Sequence, residues 1–179
     1  MKTRAVFLDR DGTVISDVGY ASDPDEVELI EGAGEELARI QERGFQLVLI
    51  SNQSGIGRGW MKVQDLTLVH ARLEKLLRPY GVRLAGAFYC HHAPTDGCDC
   101  RKPAPGLLLD AAKELNVCLK DSFMVGDQIS DVQAGESAGC TTILLLGTGA
   151  TSPGSEDADH VSRSWSDIRR LIIEEPDVL

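Results

Sequence analysis

Residues 5–13 read AVFLDRDGT: four apolar residues followed directly by two aspartates that stand two positions apart. Four consecutive apolar residues predict a short strand that is covered on both faces, as in a parallel sheet. Side chains at the carboxyl end of such a strand lie at the edge where sites form in open α/β sheets. Asp9 and Asp11 are therefore predicted to face one cleft.

The rest of the chain repeats this strand pattern in alternation with amphipathic stretches. Predicted strands cover Ala5–Leu8, Gln46–Ile50, Ala87–Cys90, Ser122–Val125 and Thr141–Leu146. Predicted helices cover Ala33–Arg43, Val63–Tyr80, Gly106–Leu115, Ser130–Ala138 and Ser166–Ile173, and a surface loop is predicted from Gly147 to Asp159. This alternation predicts an α/β fold, a parallel sheet with helices on both faces, in a single domain over residues 1–179.

The charge balance excludes several classes of partner. The chain has 179 residues, with 28 Asp and Glu against 18 Lys and Arg, and a formal net charge of -10. This argues against nucleic-acid binding and a polybasic membrane anchor, and no stretch approaches the ~20 apolar residues of a membrane span. Asp9 also comes before a signal-peptide apolar region could develop. We therefore expect a cytoplasmic protein, and a monomer because no long apolar stripe is visible.

Paired carboxylates at a strand end suit phosphoryl transfer. One aspartate can attack phosphorus, since an ordinary Asp with a pKa near ~3.9 is already ionised, while the other handles the leaving-group proton. A carboxylate that approaches a phosphate dianion is repelled, so a divalent cation is expected as well. An acidic turn and a calcium loop are the alternatives, but the later ligands of an EF-hand are missing after Asp11.

Two further polar clusters follow predicted strands. Residues Ser51–Ser54 offer hydroxyl, amide and backbone N–H groups that can hold phosphate oxygens, or they form an ordinary polar turn. Arg101 and Lys102 supply two cations that can neutralise a phosphoryl group, or they form a solvated surface pair. The glycines at 55, 57 and 59 do not complete a dinucleotide-binding fingerprint, so nucleotide binding of that type is rejected.

The segment GDQISD, residues 126–131, follows the fourth predicted strand. Asp127 is placed to share a Mg²⁺ with Asp9. Asp131 either orients a partner such as Lys102 or places its charge in the first turn of the next helix, where it suits the helix dipole. The sequence leaves these two roles of Asp131 equally open.

Three of the five cysteines lie close together with a histidine. In a reducing compartment such a cluster indicates metal binding before a disulfide or incidental cysteine. Cys90 and His92 point the same way if the strand continues, and Cys98 and Cys100 return across a short loop. Three sulfurs and one imidazole form a closed tetrahedral zinc site of structural type, in a zinc loop over residues 90–100.

Taken in chain order, these clusters resemble the four motifs of the haloacid dehalogenase (HAD) superfamily of phosphotransferases. DRDGT resembles the first motif, Ser51 the second, Lys102 the third and GDQISD the fourth, so the resemblance runs from Asp9 to Asp131. It implies a Rossmann-like fold. Because only short segments separate the motifs, no large cap domain is expected.

The resemblance also implies roles for these residues. Asp9 would be the nucleophile and Asp11 the general acid/base. Mg²⁺ would be held by Asp9, the backbone carbonyl of Asp11 and Asp127, while Ser51 and Lys102 would stabilise the phosphoryl group.

The loop pattern C-x-H…C-x-C-R-K-P narrows the resemblance to a histidinol-phosphatase-like branch. Two activities compete there: removal of the C7 phosphate of D-glycero-D-manno-heptose 1,7-bisphosphate, for lipopolysaccharide or a related glycan, and hydrolysis of histidinol phosphate. The segments Gly19-Tyr20, SNQSGIGRG and CRKPAPG resemble the heptose enzymes, whereas histidinol enzymes have an acidic residue in place of Ser54. A non-catalytic zinc-stabilised phosphate-binding adaptor is the alternative from another class, and the paired carboxylates argue against it.

The heptose resemblance implies which residues contact the substrate. These are Asp17, Val18, Gly19 and Tyr20 in one loop, Asn52, Gln53 and Ser54 in a second, and Arg101 and Gln128. Arg101 would clamp the phosphate that does not react, a role that the cationic amine of histidinol would oppose. Gln128 is a departure, since the heptose enzymes usually carry Lys at this position.

Overall fold

The computed structural model describes residues 2–147 and 153–174, and its centre is a six-stranded parallel sheet in the order β3-β2-β1-β4-β5-β6. The strands are β1 (Ala5–Leu8), β2 (Gln46–Asn52), β3 (Leu84–Cys90), β4 (Phe123–Gly126), β5 (Thr141–Leu145) and β6 (His160–Ser162). The helices are α1 (Ala33–Glu42), α2 (Ser54–Gly57), α3 (Val63–Leu77), α4 (Gly106–Glu114), α5 (Ile129–Ala138) and α6 (Trp165–Glu174). The predicted α/β fold is confirmed.

The central strand β1 is buried on both faces, as its four apolar residues predict. Val6 and Leu8 belong to one hydrophobic core, and Ala5 and Phe7 belong to the other. This division follows from the alternation of side chains along a strand. A polar residue anywhere in β1 would therefore meet apolar side chains, and the first polar position is Asp9 at the strand end.

Helices cover each face of the sheet and complete these two cores. Buried side chains of α1, α3 and α6 join the core of Val6, and side chains of α4 and α5 join the core of Phe7. Amphipathic helices supply such faces with apolar residues three and four positions apart, as Val69 and Leu73 show in α3. The indole Nε1 of Trp165 in α6 also donates to the carbonyl oxygen of Thr13 at 3.0 Å, which ties α6 to the loop after β1.

Strand order reverses between β1 and β4, and this reversal positions the site. The register pairs Leu8 with Leu49 on one side and with Val125 on the other. The residues that follow, Asp9 and the segment after β4, therefore emerge together at the carboxyl edge of the sheet. Ligands in open α/β sheets bind at this kind of crevice.

Several element bounds differ from the sequence prediction. Strand β3 begins three residues earlier, at Leu84, and α3 ends at Leu77, where a 3-10 turn that contains Pro79 follows. A proline lacks the N–H that would continue the helix, so the predicted extension to Tyr80 was wrong.

The sequence analysis missed two short elements, α2 and β6. Helix α2 has four residues, two of them glycine, and β6 has three, so neither is long enough to show a periodicity. Of the loop predicted from Gly147 to Asp159, residues 148–152 lie outside the described part of the chain. Its later part contains the 3-10 turn Ser155–Asp157. Within the described residues, no helix combines the length and the apolar character that a membrane crossing requires.

Candidate active site

The nucleophile candidate lies at the reversal of strand order, as the sequence predicts. Asp9 follows β1, and its backbone N–H donates to the carbonyl oxygen of Val125 in β4 at 2.9 Å. Its side chain is largely buried. Oxygens of Asp9, Asp127 and Asp131 lie within 4.8 Å of one another, so three carboxylates converge on one point.

A buried lysine offsets part of this negative charge. Lys102 Nζ lies 2.5 Å from Oδ1 of Asp9 and 2.5 Å from Oδ1 of Asp131, and it donates to the carbonyl oxygen of Ile50 at 2.9 Å. Burial lowers the pKa of Lys102, but the charges of the two aspartates outweigh this effect and raise it above its usual value. Lys102 therefore remains a fixed cation beside the nucleophile.

Burial has the opposite effect on the carboxyl group of Asp9. It raises the pKa of Asp9 to about 7, although the adjacent Lys102 lowers it. Burial also raises the pKa of Asp127. Both shifts show that this carboxylate cluster gains from further positive charge, since desolvation disfavours the ionised form.

Asn52 fixes the backbone that carries Lys102. Its side-chain Nδ2 donates to the carbonyl oxygen of Lys102 at 3.0 Å, and its Oδ1 accepts from the Lys102 backbone N–H at 3.0 Å. Asn52 is the last residue of β2, so this pair of hydrogen bonds joins the loop after β3 to the centre of the sheet. The sequence analysis expects Asn52 to bind substrate, and its side-chain contacts show a supporting role toward Lys102.

Asp11, the second aspartate after β1, has hydrogen-bond partners different from those of Asp9. Gln53 Nε2 donates to Asp11 Oδ2 at 2.9 Å and to Ser51 Oγ at 2.8 Å, so the two predicted catalytic residues Asp11 and Ser51 share one amide. The guanidinium of Arg10 also binds the Asp11 carboxylate, at 2.9–3.1 Å. Sequence reasoning singled out neither contact, because a charged residue between two aspartates gives no sign that it is buried.

The carboxylate cluster has the donor set of a hard cation. Gly12 has a φ of +80°, and a Cβ there would lie 2.4 Å from Oδ2 of Asp127, so only glycine lets the loop approach this carboxylate. Thr13 Oγ1 donates to Asp127 Oδ1 at 3.4 Å, and Gln128 Nε2 donates to Oδ2 at 2.7 Å. Asp9 and Asp127 offer only oxygen atoms, which are the ligands that Mg²⁺ prefers.

Asp131 performs both of the functions that the sequence left open. Besides its ion pair with Lys102, its Oδ2 accepts from the backbone N–H of Gln128 at 3.0 Å in a capping box at the start of α5. A Cβ on Gly126 would lie 2.2 Å from Oδ2 of Asp131. The absence of a side chain at residue 126 thus allows Asp131 to reach Lys102.

The predicted sulfur and imidazole cluster forms in the structure. Sγ of Cys100 lies 3.2 Å from Cys90 Sγ and 3.5 Å from Cys98 Sγ, and Nδ1 of His92 lies 3.2 Å from Cys100 Sγ. All three cysteines are free thiols. In a tetrahedral site with bonds of ~2.3 Å, sulfur atoms lie ~3.8 Å apart, so these four side chains could hold one metal ion.

Hydrogen bonding in the zinc loop favours the ionised form of the Cys98 thiol. Burial raises the pKa of Cys98, but hydrogen bonds from the Cys100 side chain and from the backbone of Arg101 lower it to about 7. The thiolate is the form that binds metal. The backbone of Arg101 thus supports the cysteine cluster by a hydrogen bond to Cys98. Arg101 also lines a cavity of about 280 Å³ with Pro94, Lys102 and other residues of the same loop.

The predicted substrate loop, Asp17–Tyr20, lies at the surface beside the segment after β2. Asp17 Oδ1 accepts from the backbone N–H of Gly19 at 2.7 Å, and Val18 is exposed. The ring of Tyr20 meets the ring of Trp60 edge-on, with 4.9 Å between centroids. A Cβ on Gly55 would lie 2.7 Å from Tyr20 Cδ1, so Tyr20 packs directly on α2, which begins at the predicted substrate residue Ser54.

Comparisons with known proteins show which family this chain resembles. A model of the HAD-hydrolase-like family matches residues 99–168. The D-glycero-beta-D-manno-heptose-1,7-bisphosphate 7-phosphatase of Pasteurella multocida is 41% identical over 177 residues, which cover 94% of this chain and 96% of the relative. The enzyme of the same name from Helicobacter pylori is 44% identical over 144 residues, 80% of this chain and 83% of the relative.

A solved structure shares the fold along its whole length. The D,D-heptose 1,7-bisphosphate phosphatase from B. bronchiseptica, in complex with magnesium and phosphate, superposes with a TM-score of 0.86. It is 32% identical, and the match covers 97% of this chain and 99% of that one.

Proposed function

The chain belongs to the HAD-like phosphatases, in the family of the D-glycero-beta-D-manno-heptose-1,7-bisphosphate 7-phosphatases, and from this membership we propose that it hydrolyses the C7 phosphate of D-glycero-D-manno-heptose 1,7-bisphosphate. The product is heptose 1-phosphate, used for lipopolysaccharide core or a related glycan. The observation that carries the proposal is the pairing of buried Asp9 with Lys102 at the reversal of strand order, in a chain about 40% identical to these relatives.

The reaction proceeds in two steps on Asp9. In the first, a carboxylate oxygen of Asp9 bonds to phosphorus while the bond from phosphorus to the C7 oxygen breaks, and Asp11 gives that oxygen a proton. In the second, water attacks the aspartyl phosphate, Asp11 takes the proton from this water, and Asp9 and inorganic phosphate are released. Lys102 and the Ser51 hydroxyl stabilise the charge on the phosphoryl oxygens.

Mg²⁺ is the cation proposed for the carboxylate cluster, held by Asp9, the backbone carbonyl of Asp11 and Asp127. When bound, it supplies the positive charge that lets the carboxylate of Asp9 meet a phosphate dianion. The all-oxygen donor set and the magnesium in the B. bronchiseptica relative support this assignment.

Zn²⁺ is the ion proposed for Cys90, His92, Cys98 and Cys100. The support is the mutual contact of three sulfurs and one imidazole nitrogen, a donor set typical of structural zinc. With four protein ligands no position is left for water, so the proposed contribution is to folding and to the placement of the residues that follow Cys100.

The remaining substrate contacts are proposed as the resemblance implies. Asp17, Val18, Gly19 and Tyr20 would contact the sugar, Asn52, Gln53 and Ser54 would lie on the phosphate side, and Arg101 would bind the phosphate at C1. The side-chain amide of Gln128 donates a hydrogen bond to Asp127. Gln128 therefore polarises that carboxylate, but unlike a lysine it offers no positive charge to bind the substrate.

We further propose that the protein works in the cytoplasm as a monomer, without nucleic-acid or membrane partners. The free thiols of the zinc loop suit a reducing compartment. The formal net charge of -10 argues against a nucleic-acid partner. Light scattering of the purified protein at micromolar concentration tests the oligomeric state, and a mass near twice 19.4 kDa would contradict a monomer.

The test is phosphate release in the presence of Mg²⁺, with heptose 1,7-bisphosphate compared with histidinol phosphate. We expect a preference of at least ~10² in kcat/KM for the bisphosphate, which corresponds to about 2.7 kcal/mol at the transition state. The Asp9→Asn protein is the control for contaminating phosphatases. The reverse preference would favour histidinol phosphate as substrate, and inactivity on both substrates and on other phosphate esters would favour the adaptor.

A further inference from the structure

Arg10, the residue between the two aspartates, is completely buried and binds the neighbouring carboxylate with two nitrogens. Its Nε lies 3.1 Å from both Oδ1 and Oδ2 of Asp11, and its Nη2 lies 2.9 Å from both oxygens. The Arg10 side chain has no exposed surface, whereas that of Asp11 retains 18%. Solvent therefore does not reach the arginine of this pair, whereas it still reaches the carboxylate.

A pair of this kind is poorly explained by stability. Taking a guanidinium out of water is costly, and apolar residues of the same volume often replace a buried ion pair without loss of stability. What a guanidinium does supply is a rigid planar fork that fixes the orientation of a carboxylate. The residue whose orientation it fixes is Asp11.

A further contact restricts the same carboxylate. Gln53 Nε2 donates to Asp11 Oδ2 at 2.9 Å, and the same amide nitrogen donates to Ser51 Oγ at 2.8 Å. The Asp11 carboxylate is thus held by both the Arg10 guanidinium and the Gln53 amide.

We propose that Arg10 is the positioning residue for the general acid, and that its bidentate contact aims the Asp11 carboxyl group at the leaving oxygen. The proposal rests on the proposed function, because it takes Asp11 as the group that donates the proton. Arg10 itself transfers no proton and touches no reacting atom.

Leaving-group dependence separates this role from general damage to the fold. A sugar alkoxide is a poor leaving group and needs a proton, whereas p-nitrophenolate is stable as an anion and needs none. General acid catalysis typically contributes ~10²–10⁴-fold. Loss of the aim of Asp11 should therefore slow the first step, which kcat/KM reports, far more for the sugar phosphate than for p-nitrophenyl phosphate. The second step, in which Asp11 acts as base, is common to both substrates and changes kcat alike.

The experiment measures kcat and KM of Arg10→Gln and Arg10→Lys on heptose 1,7-bisphosphate and on p-nitrophenyl phosphate. For Arg10→Gln we expect kcat/KM on the bisphosphate to fall ~10²-fold, and kcat/KM on the aryl phosphate to fall less than about fivefold. Arg10→Lys, which keeps the charge but not the fork, should lie between wild type and Arg10→Gln. Arg39→Gln is the matched control, since this arginine pairs with Glu36 on α1 and is exposed.

Two outcomes distinguish failure of this inference from failure of the proposed function. Asp11→Asn should show the same leaving-group dependence of kcat/KM as Arg10→Gln, and if it lowers kcat/KM equally on both substrates, the role of Asp11 as general acid is wrong. If Asp11→Asn shows the dependence but Arg10→Gln lowers kcat/KM equally on both substrates, Arg10 does not position the acid.

The milder variant, Arg10→Lys, covers the case in which Arg10→Gln fails to fold, because it keeps the buried charge and removes only the planar fork. We expect a three- to tenfold loss of kcat/KM on the bisphosphate and little change on the aryl phosphate. An unchanged kcat/KM on the bisphosphate, or a loss of the same size on both substrates, would overturn the inference.

Discussion

Two clusters of metal-ligating side chains lie near the carboxyl ends of strands on the same sheet, and they differ in almost every chemical respect. Asp9, Asp127 and Asp131 offer oxygen atoms, and Asp9 and Asp131 pair with a lysine ammonium. The other cluster offers three sulfurs and one imidazole, which are in contact with each other. The first suits a hard cation that takes part in a reaction, and the second suits zinc in a structural site.

The two clusters are joined by a single short segment. Cys100 ends one cluster, and Lys102, two residues later, places its ammonium in the other. Asn52 holds the backbone of Lys102 from the sheet side. We therefore expect the sulfur cluster to influence catalysis through the position of a chain segment, and the carboxylate cluster to influence it through charge.

We expect the largest effect from Asp9→Asn, which should abolish activity and leave the sulfur cluster intact. An amide cannot attack phosphorus, so phosphate release should fall by at least ~10³-fold. Zinc content and melting temperature should stay as in the wild type. Activity within tenfold of the wild type would exclude the covalent mechanism.

Lys102→Ala should have the next largest effect. It removes the buried cation from Asp9 and Asp131, and we expect kcat to fall ~10²–10³-fold, because the ammonium stabilises charge that develops in the transition state. Steady-state kinetics on the bisphosphate measure this. Intact turnover with only a raised KM would contradict the role.

Cys100→Ser tests the other cluster. We expect zinc to be lost, the melting temperature to fall, and kcat to fall about tenfold, because the segment of Lys102 loses its anchor. Elemental analysis and thermal melting of the purified variant measure the two losses. A folded variant that keeps one zinc per chain would show that Cys100 is not a ligand.

Asn52→Ala should have the smallest effect of these. It removes two hydrogen bonds to the backbone of Lys102, each worth about 0.5–1.5 kcal/mol, so a loss of about tenfold in kcat is expected. Zinc content should not change. If KM rises instead and kcat is constant, Asn52 contacts substrate as the sequence resemblance implies.

Much of the fold follows from local patterns that any reader of the sequence can use. β1 is recognisable because all four residues are apolar, and α3 because Leu66, Val69 and Leu73 recur at helical spacing. β6 escapes because three residues, paired on one side only, carry too little pattern.

The site is predictable where chemistry depends on residue type and strand position, as for Asp9, Asp127 and the cysteine cluster. It is less so where a role depends on packing. The role of Arg10 has no local signal, because nothing in the residues around it indicates that its charged side chain is completely buried. The support that Asn52 gives to Lys102 joins residues 50 positions apart and has no local signal.

The different roles of the two clusters are tested most directly by dialysis of the wild-type protein against metal-free buffer, followed by elemental analysis and an activity assay with and without added Mg²⁺. We expect that about one zinc per chain remains bound, that activity is lost, and that Mg²⁺ alone restores it. Folded, fully active protein without zinc, or activity that persists without Mg²⁺, would contradict this expectation.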